Sequence, residues 1–305
     1  MGSLPTVVGV DGSAAALDAV RWAVLDAHLH LSDLVLVSAI PLPRALTGVG
    51  ILPEPIVAQS KSEIRTILDE ALAVTARASA TSGEITIDTV SSENSAVATL
   101  LELSTTARMV VLATRGLGGA EQRSLGSIGF AVTTHARCPV TVVRGWSGDD
   151  VDTTHPVVVG VDGTRASAAA TALAFEEAFV RSAPLTAVHS WSDTDLSVGL
   201  PIRGLEWPAN RPAAADQLAR MLEPHTRRYP TVSVRTAVVK DRPVQALLDH
   251  AQGAQLLVIG SHGRGGFPGM MLGSTSRTVI ARASCSVTVV PDAARNRSTT
   301  TKEYL

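Results

Sequence analysis

The stretch Gly260–Ser274, GSHGRGGFPGMMLGS, has a near copy earlier in the chain at Ala113–Ser127, ATRGLGGAEQRSLGS. Each copy follows a short apolar run, Leu256–Ile259 or Met109–Leu112. Short, continuously apolar runs bounded by glycine are typical of buried strands in a parallel sheet. The two stretches therefore predict glycine-rich bends that lead from the end of a buried strand into a helix.

A bend of this kind is suited to bind phosphate. Glycine lets backbone N–H groups approach a ligand closely, and a helix that begins at a Gly-Ser pair adds its positive dipole end. We therefore expect Ser127 and Ser274 to donate a hydroxyl and a backbone N–H to phosphate. Simple N-capping by these serines is compatible with the same contact. The sequence predicts a protein that holds two nucleotides.

The repeat covers almost the whole chain. VVGVDGS at Val7–Ser13 is echoed by VVGVDGT at Val158–Thr164, and CPVTVV at Cys138–Val143 by CSVTVV at Cys285–Val290. A period of about 150 residues is too long for a solenoid unit and suits a domain, so the chain is a duplicated domain. The predicted organisation is one domain over residues 1–146, a second over 155–292 and a disordered tail over 293–305.

Each half is predicted to contain five strands alternating with four helices. Apolar strands that alternate with amphipathic helices indicate an α/β fold, a doubly wound parallel sheet joined by right-handed crossovers. Pro41–Pro55 and Trp191–Pro212 interrupt the pattern as long irregular stretches. In the first half the predicted strands lie near residues 5–11, 33–39, 84–90, 109–113 and 139–143, and the helices near 13–30, 58–82, 94–106 and 126–136.

Composition narrows the class of protein. The 305 residues are 45% hydrophobic and 18% charged, with a formal net charge of −2, so nucleic acid and anionic membranes are not expected partners. No apolar run approaches the roughly 18 residues that span a bilayer, and the N-terminus lacks a basic signal region. We expect a cytoplasmic protein. Cys138 and Cys285 could form a disulfide, but small buried thiols are the simpler expectation for a duplicated pair.

A ligand of an open parallel sheet binds beyond the carboxyl ends of the strands, where the strand order reverses. There Asp11 would face the Gly116 loop, and Asp162 would face the Gly263 loop. A carboxylate at this place can accept hydrogen bonds from a ribose or an adenine amino group. The alternative is that each aspartate caps the following helix.

The spacing Gly-x-x-Gly, nine residues, Gly-Ser is met in full by Gly260, Gly263, Gly273 and Ser274. Together with Asp162 at the end of its strand, this pattern resembles the ATP-binding branch of the universal stress protein family. Both halves resemble that domain over nearly their full length. The chain is thus similar to the tandem members of the family that are common in actinobacteria.

The resemblance implies a five-stranded sheet in the order 3-2-1-4-5, of the adenine nucleotide alpha hydrolase-like type. It implies ATP binding, often with a divalent metal such as Mg²⁺, and a role in stress, dormancy or growth arrest. Family members pair through their last strands, which implies internal pairing of Val140–Val143 with Val287–Val290 and a second interface in a homodimer. The first half departs from the pattern at Ala113, whose methyl group could crowd the ribose or phosphates.

The predicted binding residues combine the strand ends with the bends. Gly9 and Gly160 lack a Cβ and would let a base approach closely. Arg123 is the best candidate for a cation over the terminal phosphate, with a solvated surface arginine as the alternative. Asp193 could reach a ribose hydroxyl or remain an exposed loop residue. The complete set is Gly9, Asp11, Ala113, Thr114, Arg115, Gly116, Gly118, Gly119, Arg123, Gly126, Ser127 and Ile128 in the first half, and Gly160, Asp162, Asp193, Gly260, Ser261, His262, Gly263, Arg264, Gly265, Gly266, Gly273, Ser274 and Thr275 in the second.

No catalytic residue and no metal cluster are predicted from side chains. His262 could orient an attacking water, but its counterpart is Arg115, so shared chemistry cannot require an imidazole. His189, replaced by Ser38 in the first half, is expected to be a satisfied, partly buried side chain, and Trp22 a packing residue. The chain has no Cys-x-x-Cys and no pair of histidines at helical spacing that would suggest zinc.

Three classes of function follow from the sequence. A regulatory ATP-binding module, with nucleotide occupancy modulating conformation or an unknown protein partner, is favoured because the loops lack the lysine of a Gly-x-x-x-x-Gly-Lys-Ser/Thr motif. The alternatives are a slow ATP hydrolase or adenylate-transferring enzyme, and an interaction scaffold with decayed nucleotide sites. An oxidoreductase is disfavoured, since Asp-Gly-Ser follows the first strand where a dinucleotide fingerprint requires Gly-x-Gly-x-x-Gly.

Overall fold

The structure is a computed structural model that divides into two units, Met1–Asp149 and Asp150–Leu305. It describes residues 4–39, 54–79, 85–114, 125–144, 154–191, 207–240, 242–263 and 272–292.

Strands and helices alternate along the whole of the first unit. Its elements are β1 (Thr6–Gly9), α1 (Ala14–His30), β2 (Leu34–Ala39), α2 (Glu54–Ser79), β3 (Ile87–Ser92), α3 (Ala96–Leu103), β4 (Met109–Ala113), α4 (Ser127–His135) and β5 (Val140–Val143).

The second unit repeats this order. Its elements are β6 (Val157–Gly160), α5 (Arg165–Val180), β7 (Leu185–Trp191), α6 (Trp207–Arg228), β8 (Val234–Lys240), α7 (Pro243–His250), β9 (Leu256–Gly260), α8 (Ser274–Arg282) and β10 (Ser286–Val290). The predicted five strands and four helices are thus present in the described residues of each unit.

Each unit holds one parallel sheet with the predicted topology. The strand order is β3-β2-β1-β4-β5 in the first unit and β8-β7-β6-β9-β10 in the second. The fold class is therefore confirmed. Because the chain leaves β1 toward β2 and later returns to β4 on its other side, the order reverses between β1 and β4, and likewise between β6 and β9. The pairing of the last strands of the two units stays a prediction.

Valine-rich strands build the core of the first unit. Val7, Val37, Val110 and Val140 occupy neighbouring strands and pack as one buried cluster with Leu100 of α3. Strands buried on both faces need apolar residues at successive positions, which explains the continuous apolar runs seen in the sequence.

The two irregular stretches predicted from the sequence are shorter than expected. Helix α2 begins at Glu54 and helix α6 at Trp207, so the ends of both stretches are helical. Pro55 and Pro208 are the second residues of these helices. Proline is tolerated there because the first-turn N–H groups have no intrahelical acceptor.

The two cysteines are separate thiols. Cys138 and Cys285 are both free and buried, which agrees with the simpler of the two expectations from the sequence. Burial raises the pKa of the Cys138 thiol to about 12, which keeps it protonated and unreactive at neutral pH. None of the helices that the structure describes has the length and apolar character required to cross a bilayer.

Helix α1 ends on a strained residue that offers a stability test. Leu31 has φ 51° and ψ 44°, the left-handed region, and is 86% exposed. A Cβ costs about 1 kcal/mol in this conformation, so we expect Leu31→Gly to raise the free energy of unfolding by about that amount. Chemical denaturation measures the change. Leu31→Ala, which keeps the Cβ, is the control and should give no gain; equal stabilisation by both variants would contradict the explanation.

An aromatic cluster in the second unit predicts a loss of stability in acid. His225 stacks on the buried ring of Phe175, with the two ring centroids 5.3 Å apart. Partial burial of the imidazole, and to a smaller extent the nearby charge of Arg228, lowers the pKa of His225 below its ordinary 6.5. The folded state thus disfavours the imidazolium, and stability present above pH 6.5 is lost as the pH falls toward the lower folded pKa. Thermal melts of His225→Gln should show a shallower decline below pH 6.5. Exposed His135→Gln is the control, and an identical decline in all three proteins would refute the assignment.

Candidate functional site

Asp162 orients the residue that caps helix α5. Its Oδ1 atom accepts hydrogen bonds from the Thr164 backbone N–H at 2.9 Å and from the Thr164 hydroxyl at 2.7 Å. The Thr164 hydroxyl oxygen in turn accepts from the N–H of Ser167 at 3.2 Å. The capping residue is therefore Thr164, which corrects the alternative that Asp162 itself caps the helix. The carboxylate is fixed by this turn at the end of β6.

The first unit repeats this turn with serine. Asp11 Oδ1 accepts from the Ser13 N–H at 3.1 Å and the Ser13 hydroxyl at 2.6 Å, and Ser13 caps α1. Gly12 and Gly163 lie between the paired residues with φ of +82° and +81°. A side chain is strained in this conformation, so glycine is needed here. These two glycines were missed as functional positions, although Asp-Gly before a helix-capping Ser or Thr is a recognisable turn signal.

Asp162 lies directly against the glycine-rich bend that follows β9. A Cβ built on Gly263 would lie 2.9 Å from Asp162 Oδ2. The Thr164 hydroxyl is also 3.5 Å from the carbonyl oxygen of His262. The structure therefore brings Asp162 and the first part of the bend together, as the sequence predicted. The corresponding Gly116 lies outside the described residues.

A hydrogen bond joins the end of β9 to the start of helix α8. The Gly273 N–H donates to the Ser261 carbonyl at 2.8 Å, and α8 begins at Ser274 without a side-chain cap. The first N–H groups of a helix have no intrahelical acceptor, and Gly273 has no side chain to accept from them. Ser274 is exposed and Thr275 half-buried, so both are available to solvent or an anion. A Cβ built on Gly273, which precedes them, would lie 3.6 Å from the nitrogen of Gly263, the residue that contacts Asp162.

The first unit presents a similar helix start. Helix α4 begins at Ser127, with Gly126 at the N-cap and again no side-chain cap. Gly126, Ser127 and Ile128 are all exposed. Thr114 at the end of β4 is buried and Ala113 half-buried. Thr114 thus follows the carboxyl end of β4 and Ser127 begins the next described helix, while their contact with Asp11 stays a prediction.

The strand-end glycines have a different role from the one predicted. A Cβ on Gly9 would lie 2.7 Å from Leu112 Cδ2, and one on Gly160 would lie 3.2 Å from Leu247 Cδ2. The space left by each missing Cβ is filled by a leucine side chain and is not open to a base. These glycines are required by packing inside the unit.

Gly260 is also explained by packing. Its Cβ would lie 2.8 Å from the carbonyl carbon of Ala166 and 3.0 Å from the Ser167 nitrogen at the start of α5. By the repeat, the methyl group of Ala113 is thus expected to face the start of α1; a contact with ribose or phosphate stays a prediction. Sequence periodicity did not reveal which way this Cβ points.

The two histidines of the second unit behave differently. His262 is half-buried, and its Nδ1 lies 2.9 Å from the Ser261 hydroxyl. His189 is completely buried, which corrects the expectation of partial burial. Its Nδ1 lies 2.6 Å from the Val161 carbonyl oxygen, while its Nε2 has no partner among the described residues. Since a carbonyl can only accept, Nδ1 carries the proton.

The remaining predicted residues lie outside the described part of the chain, and their placement stays a prediction. They are Arg115, Gly116, Gly118, Gly119, Arg123, Asp193, Arg264, Gly265 and Gly266.

Comparison with known proteins places the chain in a family. The sequence model described as "Universal stress protein family" matches twice, at residues 5–144 and 153–291. The chain belongs to the universal stress protein family. The resemblance inferred from Gly260, Gly263, Gly273 and Ser274 is thereby confirmed, including the tandem arrangement of two family domains.

Relatives match over nearly the whole length of this universal stress protein. Universal stress protein Rv2623 of Mycobacterium tuberculosis is 39% identical over 292 residues, which cover 94% of this chain and 96% of that protein. The crystal structure of a universal stress protein from Archaeoglobus fulgidus aligns with a TM-score of 0.70 at 17% identity, covering 96% of this chain and 100% of that one. A universal stress protein solved in complex with cAMP is 23% identical over 46% of this chain, with a TM-score of 0.35.

Proposed function

We propose that each unit binds ATP between its strand-end aspartate and its glycine-rich bend. The observation that carries this proposal is the contact between Gly263 and the Asp162 carboxylate, beside the uncapped start of helix α8. A hydrogen-bond acceptor for the nucleoside and donors for the phosphates lie at the switch point of one parallel sheet. This is where ligands of open α/β sheets bind.

The chemistry of the described groups is suited to an adenine nucleotide. The Asp162 carboxylate accepts from ribose hydroxyls or an adenine amino group, and an anion at the start of α8 receives backbone N–H groups and the positive end of the helix dipole. In the first unit we assign these two roles to Asp11 and to the start of α4. Mg²⁺ bound with ATP would neutralise phosphate charge, which is consistent with loops that contain no lysine.

The role we propose is regulatory. Among the described site residues the Ser261 hydroxyl lies 2.9 Å from His262 Nδ1, but this pair has no counterpart in the Thr114–Arg115 sequence of the first half, so chemistry shared by the two sites cannot depend on it. ATP occupancy would change the conformation offered to a protein partner or the assembly of a cytoplasmic homodimer. Slow ATP hydrolysis is the competing function.

Two measurements on the full chain test this proposal. Mass spectrometry of the small molecules released on denaturing freshly purified protein should detect ATP. Calorimetric titration of ligand-free protein with ATP and Mg²⁺ should then show two sites per chain, with weaker binding of cAMP. Phosphate release should stay near background over the same time. Absence of nucleotide binding would refute the proposal, and steady turnover that is lost in Asp162→Ala would favour the hydrolase.

The regulatory step needs its own measurement. Light scattering after size exclusion, with and without ATP, reports the assembly state, and hydrogen exchange reports local order. We expect ATP to slow the exchange of amides in the Gly273–Arg277 turn and to alter at least one surface away from it. Identical profiles in both conditions would leave binding intact but refute regulation through conformation.

A further inference from the structure

One peptide group of the second unit is held on both sides by buried side chains. The Val161 carbonyl oxygen is 2.6 Å from His189 Nδ1, and the Asp162 N–H donates to the Ser167 hydroxyl at 2.9 Å. His189 is 0% exposed and Ser167 is 2% exposed. This peptide immediately precedes the side chain of Asp162. The two side chains therefore fix the direction from which the carboxylate enters the site.

A third buried side chain connects the start of α8 to the end of β9. The Ser276 hydroxyl in the first turn of α8 donates to the Gly260 carbonyl at 2.8 Å, and Ser276 is 4% exposed. Gly260 also packs against the Ser167 nitrogen, as described above. The end of β9, the start of α5 and the start of α8 are thus tied together around the bend.

The first unit has none of these three side chains. Counterparts of His189, Ser167 and Ser276 in the repeat are Ser38, Ala16 and Gly129. Alanine and glycine have no hydroxyl, and serine is too short to replace an imidazole. The glycines that begin the two helices also differ. Gly273 is buried and bonded to Ser261, whereas Gly126 is exposed, with no described atom within 4 Å of a Cβ built on it.

We infer that His189, Ser167 and Ser276 are positioning residues that hold the second site in its binding geometry before the ligand arrives. The inference rests on the proposed function and adds to it that the two sites of one chain are unequal. A site that is ordered in advance loses less conformational freedom on binding, so its affinity is higher. Each hydrogen bond of the set contributes about fivefold to the difference, by the usual net strength of such bonds.

The experiment exchanges the three residues for those of the first unit. Calorimetric titration of the wild-type chain with ATP and Mg²⁺ should resolve one tight and one weak site, separated by about 100-fold when the three contributions add. In the triple variant Ser167→Ala, His189→Ser, Ser276→Gly, the tight site should weaken to the level of the other. The weak site, in the same molecule, should not change. Circular dichroism checks that the variant is folded.

Single variants separate positioning from loss of fold. Ser276→Ala should weaken the tight site by about fivefold, and Ser276→Thr, which restores the hydroxyl, should recover it. Thr171→Ala is the matched control, because it removes a buried hydroxyl bond to the Ser167 carbonyl one turn further along α5. This control should keep both affinities. If the triple variant does not fold, the comparison of Ser276→Ala with Ser276→Thr tests the inference.

The possible results separate the inference from the proposed function. Two equal sites in the wild type, or a tight site unaffected by the triple and Ser276→Ala variants, would overturn the inference and leave ATP binding in place. Equal weakening by Thr171→Ala would also overturn it, because the effect would then be general destabilisation. No binding in the wild type would instead refute the proposed function.

Discussion

Gly263→Val is expected to weaken ATP binding at the second site by about 100-fold, the cost of displacing a hydrogen-bonding charged group. A Cβ at this position lies 2.9 Å from Asp162 Oδ2, and the carboxylate is held by two bonds from Thr164. Either the carboxylate or the bend must move to admit the valine. Both movements change the site while the core remains intact, so binding should fall much more than stability.

Titration calorimetry and thermal melts on the same samples test this expectation. Ala168→Val is the control, since Ala168 is exposed in the first turn of α5 and the substitution adds apolar bulk there. The control should bind ATP at two sites as the wild type does. Retention of the second site in Gly263→Val would contradict the contact between Gly263 and Asp162 as the basis of binding.

Trp22→Ala is expected to lower the free energy of unfolding of the first unit by about 3–5 kcal/mol. Trp22 is 1% exposed in α1, between Ala19 and Ala23, which are both fully buried. Removing the indole leaves a cavity that small neighbours cannot fill. The sequence analysis predicted this packing role from the helical position of Trp22, and its near-complete burial confirms it.

Differential scanning calorimetry should show the loss as a decrease of about 10 °C in the midpoint temperature at which the first unit unfolds. Leu4→Ala is the control, because Leu4 is 56% exposed in the same unit and its truncation should change stability by less than about 0.5 kcal/mol. A single transition that shifts equally in both variants would contradict the assignment of Trp22 to the core of one unit.

Much of the fold could be predicted because the two halves of the chain repeat the same pattern and can be compared with each other. The recurrence of VVGVDGS as VVGVDGT marked the first strand of each unit, and the glycine-rich bends marked the fourth. Strand order followed from the family resemblance and the sheets confirm it. Helix boundaries were less accurate: proline in a first turn is compatible with a helix, and the sequence alone did not distinguish Pro55 from a breaker.

The site was predicted in its outline and not in its internal contacts. Asp162 beside the bend followed from topology, because the carboxyl ends of neighbouring parallel strands share an edge. The reason given for Gly9 and Gly160 was wrong, since the direction of a Cβ depends on which side chains cover each face of the sheet, while their place in the binding site stays a prediction. Ser167 was missed entirely, because its bond to the Asp162 N–H depends on the exact seating of α5. Polar residues present in one repeat and absent from the other were the available signal.

The most direct test of the account follows backbone amides during a titration with ATP and Mg²⁺. The central claim is that the N–H groups at the start of α8, opposite Asp162, receive the phosphates. Nuclear magnetic resonance of ¹⁵N-labelled protein should show the largest saturable shifts at Ser274 and Thr275, the first residues of α8. The corresponding amides of Ser127 and Ile128 in α4 should shift at higher ATP concentrations. ATP binding that leaves these amides unchanged and shifts residues elsewhere would contradict the account.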